Sequence, residues 1–391
     1  MEQKKELRQV VINELVLNGW QIDGETFIPP SGKSKVEIRK FHTTKRVERA
    51  ASCRKLVDKY GAALLQEFAN GPEISPASFN VDLVPVLSDT HESRLFRFAS
   101  LLWSVPVSQG YGRRMRFLVR DTYNGKLVGI FALGDPVFNL KMRDDFIGWN
   151  SNDRQERLYH VMDAFVLGAV PPYNRLLAGK LLALLTLSNE LRKEFTKKYR
   201  KMESVIAERN KTASLVLVTT TSALGKSSVY NRLQLPNEEQ RAFMSVGYSG
   251  GWGHFHFSDS TFSQLRDWLR EQGDKNADGH QYGKGPNWRM RAIRKALELL
   301  GFNMDLLKHG VKREIFLAPV AENYKEYLRG EHKMPRYIDR PMQAIVEFYK
   351  TRWLIPRAER IDDWKIWTRQ DTWNVIADNA DWPDDYQPNL L

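Results

Sequence analysis

The sequence predicts an α/β protein of the α+β kind, in which helices pack on a mixed, largely antiparallel sheet. Three observations predict it. Arg116–Arg120 and Lys126–Leu133 flank Asn124-Gly125, the strongest short hairpin signal. Two apolar runs, Phe165–Val170 and Ser214–Thr220, are each followed by a helical pattern. Both flanks of the chain show helical spacing. The expected division is 1–104, basic and mostly helical; 105–258, the sheet core; and 259–391, helical with an acidic, Trp-rich tail.

Taken in order, Lys4–Leu17 reads as a helix, followed by Gly19-Trp20 and a short strand ending at Pro29-Pro30. Val47, Ala51, Leu56, Ala63, Leu64 and Phe68 recur at helical spacing on a basic background. Ser93–Ser104 places Leu95, Phe98, Leu101 and Leu102 on one side of another helix. After the hairpin, a charged link, Lys141–Asp145, leads into Phe146–Trp149. Phe165–Val170 stops at Pro171-Pro172, because neither proline donates to a strand ladder. A helix runs from Leu176 to Leu187. After Ser214–Thr220 come a short helix, Ser227–Leu233, and two strands, Phe243–Tyr248 and Gly253–Phe257. Phe262–Glu271, Asn287–Leu300 and Pro341–Trp353 are helices, with Lys312–Ala318 a strand between them.

The composition excludes several classes. A 391-residue chain with 42% hydrophobic residues and 17 prolines is globular. Apolar runs such as Leu181–Leu187 are far too short to span a bilayer. The opening MEQKKELRQ shows no secretory pattern, so the expected location is the cytoplasm. The single cysteine, Cys53, excludes an internal disulfide and a cysteine-based zinc site.

The formal charge is +12, but residues 359–391 carry −5, which leaves +17 on residues 1–358. The charge is clustered at 33–60, 192–211 and 284–295. Such stripes suit phosphate backbones and predict salt-dependent binding. Lys45, Arg46, Arg49, Arg54 and Lys55 lie on one basic helix with few acids between them and are the candidate nucleic-acid contacts. The second stripe reads equally as the solvated face of a helix.

The turn after Phe165–Val170 is the most informative stretch. Strand, loop and helix start is the geometry that presents backbone N–H groups to an anion. Asn174, Arg175, Gly179 and Lys180 are the candidate anion or phosphate site. A structural reading stands beside it. In that reading Arg175 pairs with a carboxylate such as Asp163, and Gly179 lets the helix pack closely.

Other candidates are weaker. Gly225-Lys226-Ser227 follows an apolar strand, but Thr220 stands where a nucleotide loop needs glycine, and no later strand ends in a magnesium-binding aspartate. His254 and His256, two apart on an expected strand, face one side without a third ligand, so no metal site is expected. Asp121, Asp135, Asp144, Asp145 and Asp163 lie near the expected sheet and supply a third reading, a metal-dependent nuclease. Asp144 and Asp145 read more simply as a turn. The tail tryptophans Trp364, Trp367, Trp373 and Trp382 stack bases in one reading; in the other they anchor an acidic tail on the body.

Two resemblances follow from these motifs. Hairpin, strand, Arg–Gly loop, helix, apolar strand and SSVYNRL, over about 105–258, resemble the Gcn5-related N-acetyltransferase fold. That family binds acyl-CoA pyrophosphate on a glycine loop, whose place is taken here by Arg175, Ala178, Gly179 and Lys180. Ala178 replaces the first glycine, and its β-carbon crowds the approach to the backbone. Tyr230 stands where many members carry a general-acid tyrosine; the plainer reading is a packing residue.

The second resemblance is longer. The segments 128–149 (VGIFALGDPVFNLKMRDDFIGW), 162–183 (MDAFVLGAVPPYNRLLAGKLLA) and 215–233 (LVLVTTTSALGKSSVYNRL) resemble the DruA family of the Druantia antiphage defence system. This likeness covers most of 90–300 and implies a role in defence, with other proteins of the system and nucleic acid, DNA first, as partners. It implies no catalytic residues. The leading expectation is therefore a cofactor-free nucleic-acid-binding defence component. The alternative is an acyl-CoA-dependent N-acyltransferase using acetyl-CoA, with Tyr230 protonating the departing thiolate.

Overall fold

In a computed structural model, the described residues are 2–24, 26–30, 34–107, 112–200, 202–203, 210–211, 213–236, 238–278, 288–383 and 386. Parts of the three basic stripes, including Lys33, Lys201, Arg209 and Lys284, lie outside them.

The chain is organised round a seven-stranded sheet. Its strands are β1 (Val81–Pro85), β2 (Arg114–Asp121), β3 (Leu127–Gly134), β4 (Val161–Ala169), β5 (Leu217–Thr221), β6 (Met244–Tyr248) and β7 (Glu314–Pro319). The spatial order is β6-β7-β5-β4-β3-β2-β1. Only the β4–β5 pair is parallel. The expected mixed, largely antiparallel sheet is therefore present. It draws β1 from before residue 105 and β7 from beyond residue 258.

The principal helices are α1 (Glu2–Leu17), α2 (Thr43–Leu65), α3 (His91–Ala99), α4 (Lys141–Ile147), α5 (Ala178–Leu185), α6 (Asn189–Tyr199), α7 (Asp259–Glu271), α8 (Trp288–Leu299), α9 (Met342–Tyr349) and α10 (Arg369–Ala380). Local chemistry sets their ends. The side chains of Thr90, Ser188, Ser258 and Thr368 accept from backbone N–H groups at the starts of α3, α6, α7 and α10. Gly301, at φ +78°, follows the end of α8.

Each strand alternates its side chains between two faces. Helices α5, α6 and α9 cover one face, over Val128, Phe131, Met162, Val218 and Phe316. Gly129 lets α5 approach closely, because a β-carbon there would lie 2.5 Å from Leu182. On the other face α2, α3 and α10 cover Leu118, Ile130, Ala132 and Val166. Further along that face α4 contributes Ile147 to a cluster over Val161, Leu217 and Leu317. A separate core joins α1 to α7 and α8.

Several expectations need correcting. Ser227–Leu233 is not a helix but a run of turns, in which the Ser227 hydroxyl accepts from the Val229 N–H. Gly253–Phe257 is not a strand, so His254 and His256 do not share a strand face. The Gly253 N–H is taken by Leu307, and the Phe257 N–H turns back to His254. Asp144 and Asp145 lie in α4 rather than in a turn. Asp144 is buried and holds Arg143 and Arg154.

Candidate nucleic-acid interface

Arg114, Gly134, Asp163 and Thr219 form one cross-strand row over β2, β3, β4 and β5. Directly opposed residues share a face, so this row lies on the face covered by α2, α3 and α10 at one end and by α4 at the other. Between the two layers the floor stays partly open. Asp163, Phe165 and Gly168 retain exposure there. We refer to this half-buried strip of the sheet face as the trough.

A β-bulge shapes its floor. Ala132 pairs with Val166 and Leu133 with Ala164, which leaves Phe165 as the extra residue of β4. The Phe165 ring turns over Gly134, where a β-carbon would meet it at 3.2 Å. The Arg114 guanidinium lies 4.3 Å from the centre of the same ring. Further along β4, Trp103 rests on Gly168, at a distance that leaves no room for a β-carbon. Trp103 also lines a small cleft with Arg46, Arg49 and Pro106.

The wall is cationic. Arg49 Nε is buried with no hydrogen-bond partner among the described residues. Among the described residues Arg46 donates to the carbonyls of Asn379 (2.8 Å) and Arg39 (3.4 Å) and feels the charge of Asp381. Arg116 stands over Phe96, and Lys198, on α6 of the opposite layer, donates to the backbone carbonyl of Arg114 at 2.7 Å. Burial and then the charge of Arg116 lower the pKa of both Arg114 and Lys198. Crowded like charges of this kind favour an anionic guest.

Asp163 is the one carboxylate in the row. Thr219 Oγ1 donates to its Oδ1 at 2.7 Å. Burial pushes the carboxyl up to about 6, against the opposing effects of the Thr219 hydrogen bond and Arg143. β4 and β5 pair only over Val161–Asp163 and Leu217–Thr219, so the ladder ends at this rung.

The residues expected from sequence are distributed unevenly. Arg46 and Arg49 join the trough wall. Lys45 is paired with Glu48 (3.2 Å) and Asp259, and Arg54 with Asp58 (3.2 Å). Arg54 also lies 3.5 Å from the ring centre of Tyr386. Lys55 is exposed. Arg175 pairs with Asp363 rather than Asp163, and lies over Trp367. Lys180 donates to the Ser228 and Val229 carbonyls. Asn174 is exposed, and a β-carbon at Gly179 would meet Val229 at 3.7 Å, an ordinary contact. The backbone N–H groups of residues 174–178 and 180 donate to nearby carbonyls rather than standing free.

Tyr230 lies on the opposite face from Asp163. It is buried between Phe243 and Phe316, with ring centres 5.1 Å apart in each pair. Its hydroxyl reaches Thr220 Oγ1 at 3.4 Å, and burial pushes its pKa up to about 12. The remaining carboxylates are dispersed. Asp121 accepts from Tyr173, Asp135 from Arg113, and Asp145 from Lys141. Among the described residues no group of His, Cys, Asp or Glu is placed to hold a metal ion. Trp364 and Trp373 are buried, so they pack the tail against the body.

Trp103, Arg114, Arg116 and Phe165 were not legible as site residues. The alternation Arg114, Arg116 on β2 is the signal that marks a cationic sheet face. Phe165 and Trp103 carry no such mark, because a bulge and a glycine contact bring them to the trough.

Fold and site together define a mixed α/β protein with a cationic, aromatic trough on one sheet face. No helix among the described residues is long and apolar enough to cross a membrane. The chain matches the family described as Druantia protein DruA over residues 32–330. It is 44% identical to the Druantia protein DruA of Escherichia coli (strain UMEA 4076-1) over 352 residues, covering 89% of this chain and 86% of that protein. The chain belongs to the DruA family and is a component of the Druantia antiphage defence system. No solved structure matches it.

Proposed function

We propose that this defence component binds nucleic acid, with DNA as the first candidate, across the trough, and acts there with other proteins of its system. The observation that carries the reading is Arg49, a partly buried guanidinium with an unpartnered Nε, beside Trp103 and Arg46. A cation in that setting is stabilised by an incoming phosphate, and the adjacent ring offers a base a stacking surface. The +17 charge on residues 1–358 supplies long-range attraction. Fluorescence anisotropy with single- and double-stranded oligonucleotides tests it. The expected result is an affinity that falls linearly in log–log form as salt rises. Absence of binding at low salt overturns the reading.

The acyl-CoA alternative has one observation in its favour: the backbone ladder between β4 and β5 ends at Asp163, beyond which β5 meets β4 through the Thr220 hydroxyl on the Ala164 carbonyl at 2.9 Å. The engaged amides of residues 174–178 and the buried Tyr230 speak against it. A thermal shift with acetyl-CoA separates the two. Saturation at a hundred times Kd stabilises by about 2.7 kcal/mol, and no shift removes the alternative.

A further inference from the structure

We propose that the loop between β3 and α4 carries an apolar wedge, Val137 and Phe138, that enters a step between stacked bases of duplex DNA bound along the trough. The inference rests on the nucleic-acid reading and gives it a substrate class: duplexes that unstack readily at one step, such as those with a mismatch.

The course of the loop places the wedge. The loop leaves β3 at Gly134, which stands between Arg114 and Asp163 in the cross-strand row. It enters α4 at Lys141, and a β-carbon at Gly247 of β6 would lie 2.8 Å from the Met142 sulfur. In the sheet β4, β5 and β7 lie between β3 and β6, so the loop crosses the sheet at the Asp163 end of the trough. Pro136 is buried, whereas Val137 is 62% and Phe138 49% exposed. A lone exposed apolar residue needs no explanation. Here two are adjacent, and their backbone is pinned.

The pin is Arg143, whose side chain is fully buried. Its Nη1 donates to the Val137 carbonyl at 2.9 Å and its Nη2 to the Phe138 carbonyl at 2.8 Å. Asp144 Oδ1 balances its charge, while Oδ2 accepts from the Leu140 N–H at 3.3 Å and from Arg154 at 3.0 Å. Burying a guanidinium carries a large desolvation cost. What it secures is the backbone of two residues whose side chains stay in solvent. A tip ordered in advance loses little entropy when it enters a base step.

The surroundings suit DNA rather than a protein partner. The Arg154 guanidinium lies 4.7 Å from the centre of the Phe138 ring. Asp135, Asp144 and Asp145 are each tied to a cation of this chain, namely Arg113, Arg143 and Lys141. No carboxylate of the loop or of α4 is therefore left unpaired to repel phosphate. Two side chains supply far less than the roughly 1,600 Å² that a stable protein interface buries, but one inserted apolar side chain is enough to kink a duplex. Trp103 rests on Gly168, about 15 Å along β4 from Asp163. Wedge and cationic wall thus reach one duplex about four base steps apart.

The test uses the full chain and two short duplexes of one sequence, matched and with a single central mismatch, each carrying 2-aminopurine at the central step. Anisotropy reads affinity, and 2-aminopurine fluorescence reads unstacking. Wild-type protein should bind the mismatched duplex severalfold more tightly, because unstacking there costs less, and the fluorescence should rise on binding. Phe138→Ala should lose both the preference and the rise at unchanged Tm, since the side chain is exposed. Phe138→Leu, which keeps an apolar wedge, should retain both. Binding without preference or rise, or a preference and rise that persist in Phe138→Ala, overturns the wedge and leaves the nucleic-acid reading intact. Binding confined to single strands does the same. So does a Phe138→Ala protein that binds both duplexes like wild type but no longer associates with another protein of the system, which assigns the tip to a protein partner. Failure of wild-type protein to bind any oligonucleotide, single- or double-stranded, overturns both.

Discussion

Thr219 donates its hydroxyl to Asp163 at 2.7 Å on the last paired rung between β4 and β5. The contact joins a fully buried side chain to a half-buried residue. It therefore holds a carboxylate rigidly at the floor of an otherwise cationic trough. The consequences of that arrangement are open to direct measurement.

The basic residues of α2 should separate into two classes. Reversing Arg46 and Arg49 to glutamate should weaken binding and lower the log–log salt slope by about two, one per phosphate contact. Reversing Lys45 and Arg54 should have little effect on the slope, because both are paired with carboxylates of this chain. Equal losses in the two double variants would contradict the trough wall.

Replacing Arg175 and Lys180 with alanine should lower Tm and leave nucleic-acid affinity unchanged. Arg175 ties the strand–helix turn to Asp363 in the tail, and Lys180 holds the turn at Ser228. Such partly exposed contacts contribute about 1 kcal/mol or less each. Parallel thermal melts and binding curves check this. Weaker binding at unchanged Tm would restore the anion site expected from the sequence.

Gly168→Ala should reduce affinity several-fold at near-native Tm. The new β-carbon would lie 2.5 Å from Trp103, whose partly exposed ring must swing away. Loss of one stacking platform costs about 1–3 kcal/mol of binding. Tryptophan fluorescence and anisotropy on the same sample check both parts.

The protein should lose stability on acidification from pH 7 to pH 4. His42, His254, His256 and His309 gather round Phe255 between the N-terminal and C-terminal helices. Burial lowers His42 and His256 from 6.5 to about 3, and His254 and His309 to about 4. Between those values the unfolded chain binds protons that the native chain refuses, so stability falls with pH. Asp163, raised from 3.8 to about 6, and Asp121, also raised by burial, act oppositely, so acid stabilises their native forms. The four histidines, joined by carboxylates held low such as Glu67 and Glu73, outweigh these two, and the net direction is loss. His256→Phe should flatten the pH profile of Tm; an unchanged profile would contradict the assignment.

The fold was more legible than the site, for physical reasons. Asn124-Gly125 set the hairpin because Gly125 takes φ +72°, which that residue adopts freely. The apolar runs at 165–170 and 214–220 marked β4 and β5, although only β5 is largely buried on both faces and β4 keeps part of its length half-buried. Arg46 and Arg49 were found from local charge. Trp103 and Phe165 were not, since register and a bulge place them rather than local pattern. The histidine cluster was missed for the same reason: His42 and His309 are far from His254 and His256 in sequence. The engaged amides of 174–178 were hidden by turns that spacing alone does not reveal.

Photo-cross-linking of an iodocytosine-bearing single-stranded oligonucleotide, mapped by mass spectrometry, tests the central claim most directly. The expected adducts fall on Trp103 and Phe165, and they disappear as salt is raised. Adducts confined to the Tyr173–Lys180 turn or the C-terminal tail, with Trp103 and Phe165 unmodified, would contradict it.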